Sequence, residues 1–134
     1  MNLVIKTLAT AAALAGLVCA SSAHAETPAD MLASYSTAAK ATADPARGQL
    51  FFTSTHGHEW SCSSCHGAPP VKEGKHASTG KVIKPMAPAF NAERFTDSAK
   101  TEKWFRRNCN DVVGRECTAG EKADLIAWLL TLKA

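Results

Sequence analysis

Apolar residues recur along this chain at helical spacing far more often than in strict alternation. The clearest case lies near the C-terminus. Leu125, Trp128, Leu129 and Leu132 fall at i, i+3, i+4 and i+7, one face of a helix. Thr118 and Glu121 stand just before it in capping-box spacing, so a side chain and a backbone N–H can satisfy each other at the helix start. A second periodic stretch runs over about 98–112 and stops at Gly114, a residue type that suits a helix C-terminus. Thr101, Trp104, Phe105, Asn108 and Val112 form one stripe on it, with Arg106 and Arg107 to the side. That predicts a buried face interrupted by an amide. Thr27-Pro28 with Asp30, and Asp44-Pro45, each supply a cap and a proline for a first helical turn. The first predicted helix reaches about Lys40, and the second passes through Gly48, Leu50, Phe51 and Phe52.

Between these helices the pattern fades. Residues 53–61 form a polar loop containing His56 and His58. Residues 67–88 are punctuated by Pro69, Pro70, Gly74, Gly80, Pro85 and Pro88. Strand signals are weak throughout. The expected fold is all-α, one small domain with a loop-rich middle. A breaker-rich loop of that length is unusual in a compact domain, but it is accounted for if it wraps a buried cofactor.

The first 25 residues stand apart. Lys6 gives a positive start, an apolar run follows from Leu8 to Val18, and Ala23-His24-Ala25 reads as a cleavage site. This predicts a removable signal peptide and an exported, periplasmic chain without a membrane anchor. Cys19 does not suggest a lipoprotein, because Gly16-Leu17-Val18 lacks the small residues wanted beside a lipidated cysteine. The domain is then 26–134, and loss of Lys6 lowers the net charge from +3 to +2. A charge so mild gives no reason to expect nucleic acid as a partner. Four cysteines remain, Cys62, Cys65, Cys109 and Cys117, in a compartment where disulfides persist.

The strongest chemical signal is Cys62-Ser-Ser-Cys65-His66. C-x-x-C-H is the attachment pattern of c-type haem. Two thiols three residues apart lie on one side of a helical turn, where both reach the haem vinyl groups. The histidine after them is carried beneath the iron as proximal ligand. One motif means one covalent haem c. Two other readings compete. A dithiol redox pair wants a βαβ setting, which the pattern lacks, and a zinc site wants four ligands, for which His56, His58, Cys109 and Cys117 are poorly spaced. The flanks resemble class I cytochrome c, in which a small residue such as Gly48 lets an aromatic such as Trp128 approach where the terminal helices cross.

The sixth iron position decides function. Met86, in Lys84-Pro85-Met86-Ala87-Pro88, would raise the potential and make a plain electron carrier. Asn108 is the other candidate, although an amide on an apolar stripe is also satisfied by a neighbouring carbonyl. Leaving it unpaired would cost about 1–3 kcal/mol. Cys109 follows Asn108 directly, and Cys117 precedes the last capping box. A disulfide between them would staple the two helices and fix where Asn108 stands. Lys81, Lys84, Arg106 and Arg107 are candidates to meet haem propionates or an acidic partner, with solvated surface as the bland reading for each.

The stretch Arg94-Phe-Thr-Asp97, Glu102-Lys-Trp104, Arg107-Asn108-Cys109-Asn110, Gly114-Arg115, Cys117-Thr and Gly120-Glu121-Lys-Ala-Asp124-Leu resembles the sphaeroides haem protein family. The likeness extends through Thr79-Gly80-Lys81, Ala87-Pro88, the haem motif and Arg47-Gly48. It implies a class I cytochrome c-like fold and an Asn distal ligand at Asn108 in the oxidised form. On reduction that ligand would leave and let the iron bind oxygen or nitric oxide. It also implies a Cys109–Cys117 disulfide, and a dihaem cytochrome c or a membrane cytochrome b as electron donor. Turnover as a terminal oxidoreductase is left open. One departure is Met86, where the family usually has Leu.

Overall fold

A computed structural model describes residues 25–134. Apart from its last residue, the expected signal peptide lies outside them. Five helices carry the fold: α1 (Pro28–Ala39), α2 (Pro45–Thr53), α3 (Cys62–His66), α4 (Ser98–Val113) and α5 (Ala119–Thr131). Each long helix starts as its sequence directs. Thr27 and Asp30 form a capping box ahead of α1, and the Asp44 carboxylate accepts the N–H groups of Ala46 and Arg47 at the head of α2. Asp97 caps α4, and Thr118 with Glu121 closes the box of α5. Gly114 ends α4 in the left-handed conformation, φ 75°.

The core is built around α5. Every residue from Ala123 to Leu129 is buried, because α1 and α2 pack on it from different sides. The expected single apolar face therefore understates the helix, and Leu132 falls just past its end. Met31 and Tyr35 of α1 and Phe52 of α2 complete this core, with Phe52, Ile126 and Leu129 fully enclosed. Gly48 sits at the crossing: a Cβ there would lie 2.0 Å from the Asp124 carbonyl oxygen, so the glycine admits the α5 backbone itself, and Trp128 reaches α2 at Phe52, ring to ring at 5.0 Å. Beside it the buried Asp124 carboxylate accepts two bonds from the Arg47 guanidinium, at 2.8 and 3.0 Å, and one from the Asp44 N–H.

The middle departs from the loop expectation. Gly74–Lys75 (β1) and Val82–Ile83 (β2) pair antiparallel, and Pro88–Phe90 make a 3₁₀ turn. The strands are two residues each, too short to show as alternation in sequence. His76 organises the hairpin loop. Its N–H donates to the Lys81 carbonyl, and its ring nitrogen accepts from the Thr79 N–H.

Candidate haem site

The two serines inside the motif do structural work that the sequence reading passed over. Ser61 caps the five-residue α3, accepting the Ser64 N–H at 3.2 Å, while the Ser64 hydroxyl accepts the Ser61 N–H at 3.0 Å. Ser63 bonds the Ser61 hydroxyl at 2.7 Å. A turn this short has little propensity of its own, so the caps fix it. Cys62, Cys65 and His66 are all half-buried upon it, and the two cysteines are free thiols. The hairpin lies directly against the motif. The Ala77 N–H donates to Cys65 Sγ at 3.3 Å, and a Cβ on Gly74 would sit 2.0 Å from the Cys65 carbonyl oxygen.

Burial pushes the Cys62 thiol up to about 11, with a smaller contribution from Cys65. That is the reverse of the low-pKa thiolate a dithiol oxidoreductase needs. Burial also lowers His66 to about 4, helped by the positive charge of Arg94. Its imidazole is neutral at pH 7, the form that ligates a metal. The ring lies 6.2 Å from that of Phe52, which stands 5.0 Å from Trp128, so His66 is backed by the core.

Asn108 is placed differently. The buried line of α4 is Thr101, Phe105, Cys109 and Val113, each four residues on from the last. Trp104 and Asn108 are exposed and Val112 is half-buried, so the expected single stripe is two neighbouring ones. Phe105 fixes the rotation, its ring 5.8 Å from Tyr35 and 6.3 Å from Phe95. Cys109 fixes it again through a disulfide to Cys117, with Cα atoms 5.7 Å apart. Trp104 and Phe105 thus serve different faces, and Trp104 carries Arg107 over its ring at 5.9 Å. Among the described residues the Asn108 side chain has no hydrogen-bond partner.

Tyr35, Glu102 and Lys122 form a cluster that no local pattern announces. The Tyr35 hydroxyl donates to Glu102 Oε1 at 2.7 Å, and Lys122 Nζ reaches Glu102 Oε2 at 2.9 Å. The phenol is raised above its ordinary range by burial and by the Glu102 carboxylate. The cluster ties α1, α4 and α5 together.

Met86 is half-buried against the core. Its N–H and that of Ala87 both donate to the Pro70 carbonyl, at 3.0 and 3.2 Å. His56 is more than a surface residue: its ring packs at a tilt against Phe51, centroids 4.6 Å apart, and bonds the Phe51 carbonyl at 2.8 Å. His58 is exposed and leans on Gly114, where a Cβ would lie 2.8 Å from its Nε2. Lys84, Arg106 and Arg107 pair loosely with Glu93, Glu116 and Asp111 at 3.7–4.0 Å on the surface, and Lys81 is exposed.

These residues fit a covalent haem. Two free thiols share one capped turn, and a neutral, half-buried imidazole follows them. The segments after it carry large apolar side chains open to the surface, Val82 60%, Phe90 36% and Trp104 44% exposed. A zinc site finds no support, because among the described residues no group of three or more His, Cys, Asp or Glu is placed to hold a metal ion.

Comparisons with known proteins point to the same cofactor. A family model described as a domain of unknown function (DUF1924) matches residues 38–129. The cytochrome c-type protein SHP of Cereibacter sphaeroides is 52% identical over 106 residues, spanning 76% of this chain and 81% of that one. Cytochrome c'' of Methylophilus methylotrophus is 46% identical over 88 residues, 63% of this chain and 61% of the relative. The structure of oxidised SHP, an oxygen-binding cytochrome c, superposes with a TM-score of 0.75 at 50% identity, covering 81% of this chain and all of that one. Oxidised cytochrome c'' gives 0.71 at 36% identity, covering 80% and 95%. The chain belongs to the SHP family of c-type cytochromes, small helical proteins with a single covalently attached haem c.

Proposed function

We propose that this is an exported, periplasmic monohaem cytochrome whose Asn108 is a displaceable distal ligand, opposite His66, and that it binds oxygen or nitric oxide when reduced. Cys62 and Cys65 hold the haem. The haem supplies an iron that takes small ligands when its sixth position is free. A neutral amide would be a weak ligand for ferric iron and a poorer one for ferrous iron, so Asn108 would be the displaceable residue on reduction. Once displaced, its amide N–H would be free to donate a hydrogen bond to a bound diatomic. Electrons come from another cytochrome, a dihaem cytochrome c or a membrane cytochrome b. Reduction of the bound ligand would make the protein a terminal oxidoreductase. Among the described residues no helix is long and apolar enough to cross a membrane.

The observation that carries this reading is the arrangement of α4. Asn108 is exposed beside the exposed Trp104, one residue before a cysteine clamped to the next helix. Met86 is the competing ligand. It is half-buried against the core, with its own N–H bonded to the Pro70 carbonyl.

An absorption spectrum separates the two. Asn108 ligation gives high-spin ferric bands and a new spectrum when carbon monoxide meets the reduced protein. A low-spin ferric spectrum with a methionine–iron charge-transfer band, unresponsive to carbon monoxide, assigns the position to Met86.

A further inference from the structure

We infer that the hairpin over residues 71–85 is the docking face for an acidic, electron-donating protein. This role rests on the proposed reading in which electrons arrive from another protein, and on no choice of distal ligand. The charge of the chain is unevenly placed. Lys72, Lys75, Lys81 and Lys84 stand in this segment against Glu73 alone, a net +3. The chain from Glu26 onward carries +2, so everything outside the hairpin is net −1. All four lysines are exposed. Lys84 reaches Glu93 only loosely, at 3.7 Å, and among the described residues Lys72, Lys75 and Lys81 form no ion pair. By contrast, Arg47, Arg106, Arg107, Arg115 and Lys122 each have a carboxylate within 4.0 Å.

The hairpin also stands where a donor has to arrive. Cross-strand pairing sets Gly74 opposite Ile83 and Lys75 opposite Val82. Successive residues of a strand point to opposite faces, so Lys75 and Val82 share one face and Gly74 and Ile83 the other. The second face lies on the haem motif, where a Cβ on Gly74 would sit 2.0 Å from the Cys65 carbonyl oxygen. The first is turned to solvent, with Val82 60% exposed beside the lysines. The N–H of the exposed Ala77 donates to Cys65 Sγ at 3.3 Å. Cys65 is one of the two thiols proposed to hold the haem, so this surface is one hydrogen bond from an atom that anchors the cofactor. Its base is braced. Arg94 donates to the Lys84 and Pro85 carbonyls at 2.7 and 2.8 Å, and the Asn91 amide donates to the Pro85 carbonyl at 3.1 Å. An exposed valine among unpaired cations on a fixed frame suits a brief encounter with an acidic protein, which charge steers and orients. One electron passes from the donor, which is oxidised, to the ferric haem, which becomes ferrous, and no bond forms or breaks.

Flavodoxin, an acidic one-electron donor, is the probe. The first test maps binding on the unaltered holoprotein. Oxidised flavodoxin is titrated at low salt into diamagnetic ferrous protein, carbon monoxide-bound or itself low-spin. Amide shifts should fall on residues 71–85 and the adjoining haem motif; shifts elsewhere, or none, overturn the docking face. The second test follows reduction of the ferric holoprotein by reduced flavodoxin in stopped flow. The native rate should fall steeply as salt rises. Combining Lys72→Glu, Lys75→Glu and Lys81→Glu should slow the reaction about tenfold at low salt. Combining Lys40→Glu, Lys100→Glu and Lys133→Glu changes the net charge equally at exposed lysines elsewhere, and should stay within about twofold of native. Equal slowing of both sets would be an effect of net charge and would overturn the proposal. So would binding to phosphatidylglycerol vesicles that needs the hairpin lysines while flavodoxin ignores them, since the patch would then serve lipid. If the hairpin variant fails to mature, the shift map of the native protein decides alone. A failed map with the carbon monoxide response intact sinks the docking face only. A lost response with the map in place sinks only the distal-ligand reading.

Discussion

His66 and Asn108, which the proposed function sets on opposite sides of the iron, are held in unlike ways. His66 sits on a capped turn with its ring against Phe52, and Phe52 rests on Trp128 in the most buried helix of the molecule. Packing holds it. Asn108 sits on α4, which is tied down by discrete links on either side of residue 108. The Tyr35–Glu102–Lys122 cluster and Phe105 lie before it, and the Cys109–Cys117 bond lies after. None of these links involves Asn108 itself. The contrast suggests a division of labour. Under the proposed function, His66 is immobilised with the core, whereas the backbone at Asn108 is fixed and its side chain left free to exchange partners.

The comparison breaks most easily at the core. Phe52→Ala removes a fully enclosed ring and should cost about 3–5 kcal/mol, read as a fall in the unfolding midpoint of the ferric holoprotein. It should also loosen His66. If the variant keeps native stability, the proximal side does not rest on packing. Next comes the staple. The bond closes a short loop, with a sequence separation of 8, so the double substitution Cys109→Ser with Cys117→Ser should cost about 2.5 kcal/mol on the chain-entropy account. The ferric spectrum should become heterogeneous as the end of α4 frays. An unchanged spectrum with lowered stability would reduce the disulfide to a plain staple.

The two sides also differ in how far the sequence disclosed them. Caps, prolines and the i, i+3, i+4, i+7 face located every long helix, because those signals are local. The haem motif was legible because three chemical groups must share one turn. The orientation of α4 was not. Trp104 and Phe105 are both aromatic and adjacent, and either could have faced the core. Only Tyr35 and Phe95, 70 and 10 residues away from Phe105, choose between them. The Gly48 crossing was anticipated, but sequence shows only that a glycine permits close contact, not that the Asp124 backbone is what meets it. The Glu102 cluster and the buried Asp124 were missed because their partners lie 20 to 80 residues away. The two-residue strands of the hairpin are shorter than any period.

A smaller effect tests the links ahead of Asn108. Burial works to raise the Glu102 pKa, but the bonds from Lys122 and Tyr35 outweigh it, and the group titrates below its ordinary value of 4.5. A carboxylate depressed in the folded state adds stability that is present above the unfolded pKa and is lost as pH falls through the folded one. Glu102→Gln should therefore cost about 1 kcal/mol at pH 7, discounted because the carboxylate is partly exposed. The gap between variant and native protein should narrow below about pH 4.5. A gap constant from pH 7 to pH 3 would mean that the cluster acts by shape and not by charge.

The smallest change in stability sharpens the comparison furthest. Asn108 is exposed and without a protein partner, so Asn108→Ala should stay within about 0.5 kcal/mol of native stability. Alanine also has the higher helix propensity, which leans the sign towards stabilisation. The ferric spectrum should nevertheless change outright, with haem attachment intact, because the side chain proposed to fill the sixth position is gone. Met86→Leu should do the opposite, perturbing the packing slightly and leaving the spectrum alone. If Asn108→Ala is spectrally silent and Met86→Leu is not, the distal ligand comes from the packed loop. The functional contrast between the two sides of the iron then disappears, and the bare stripe of α4 is only surface.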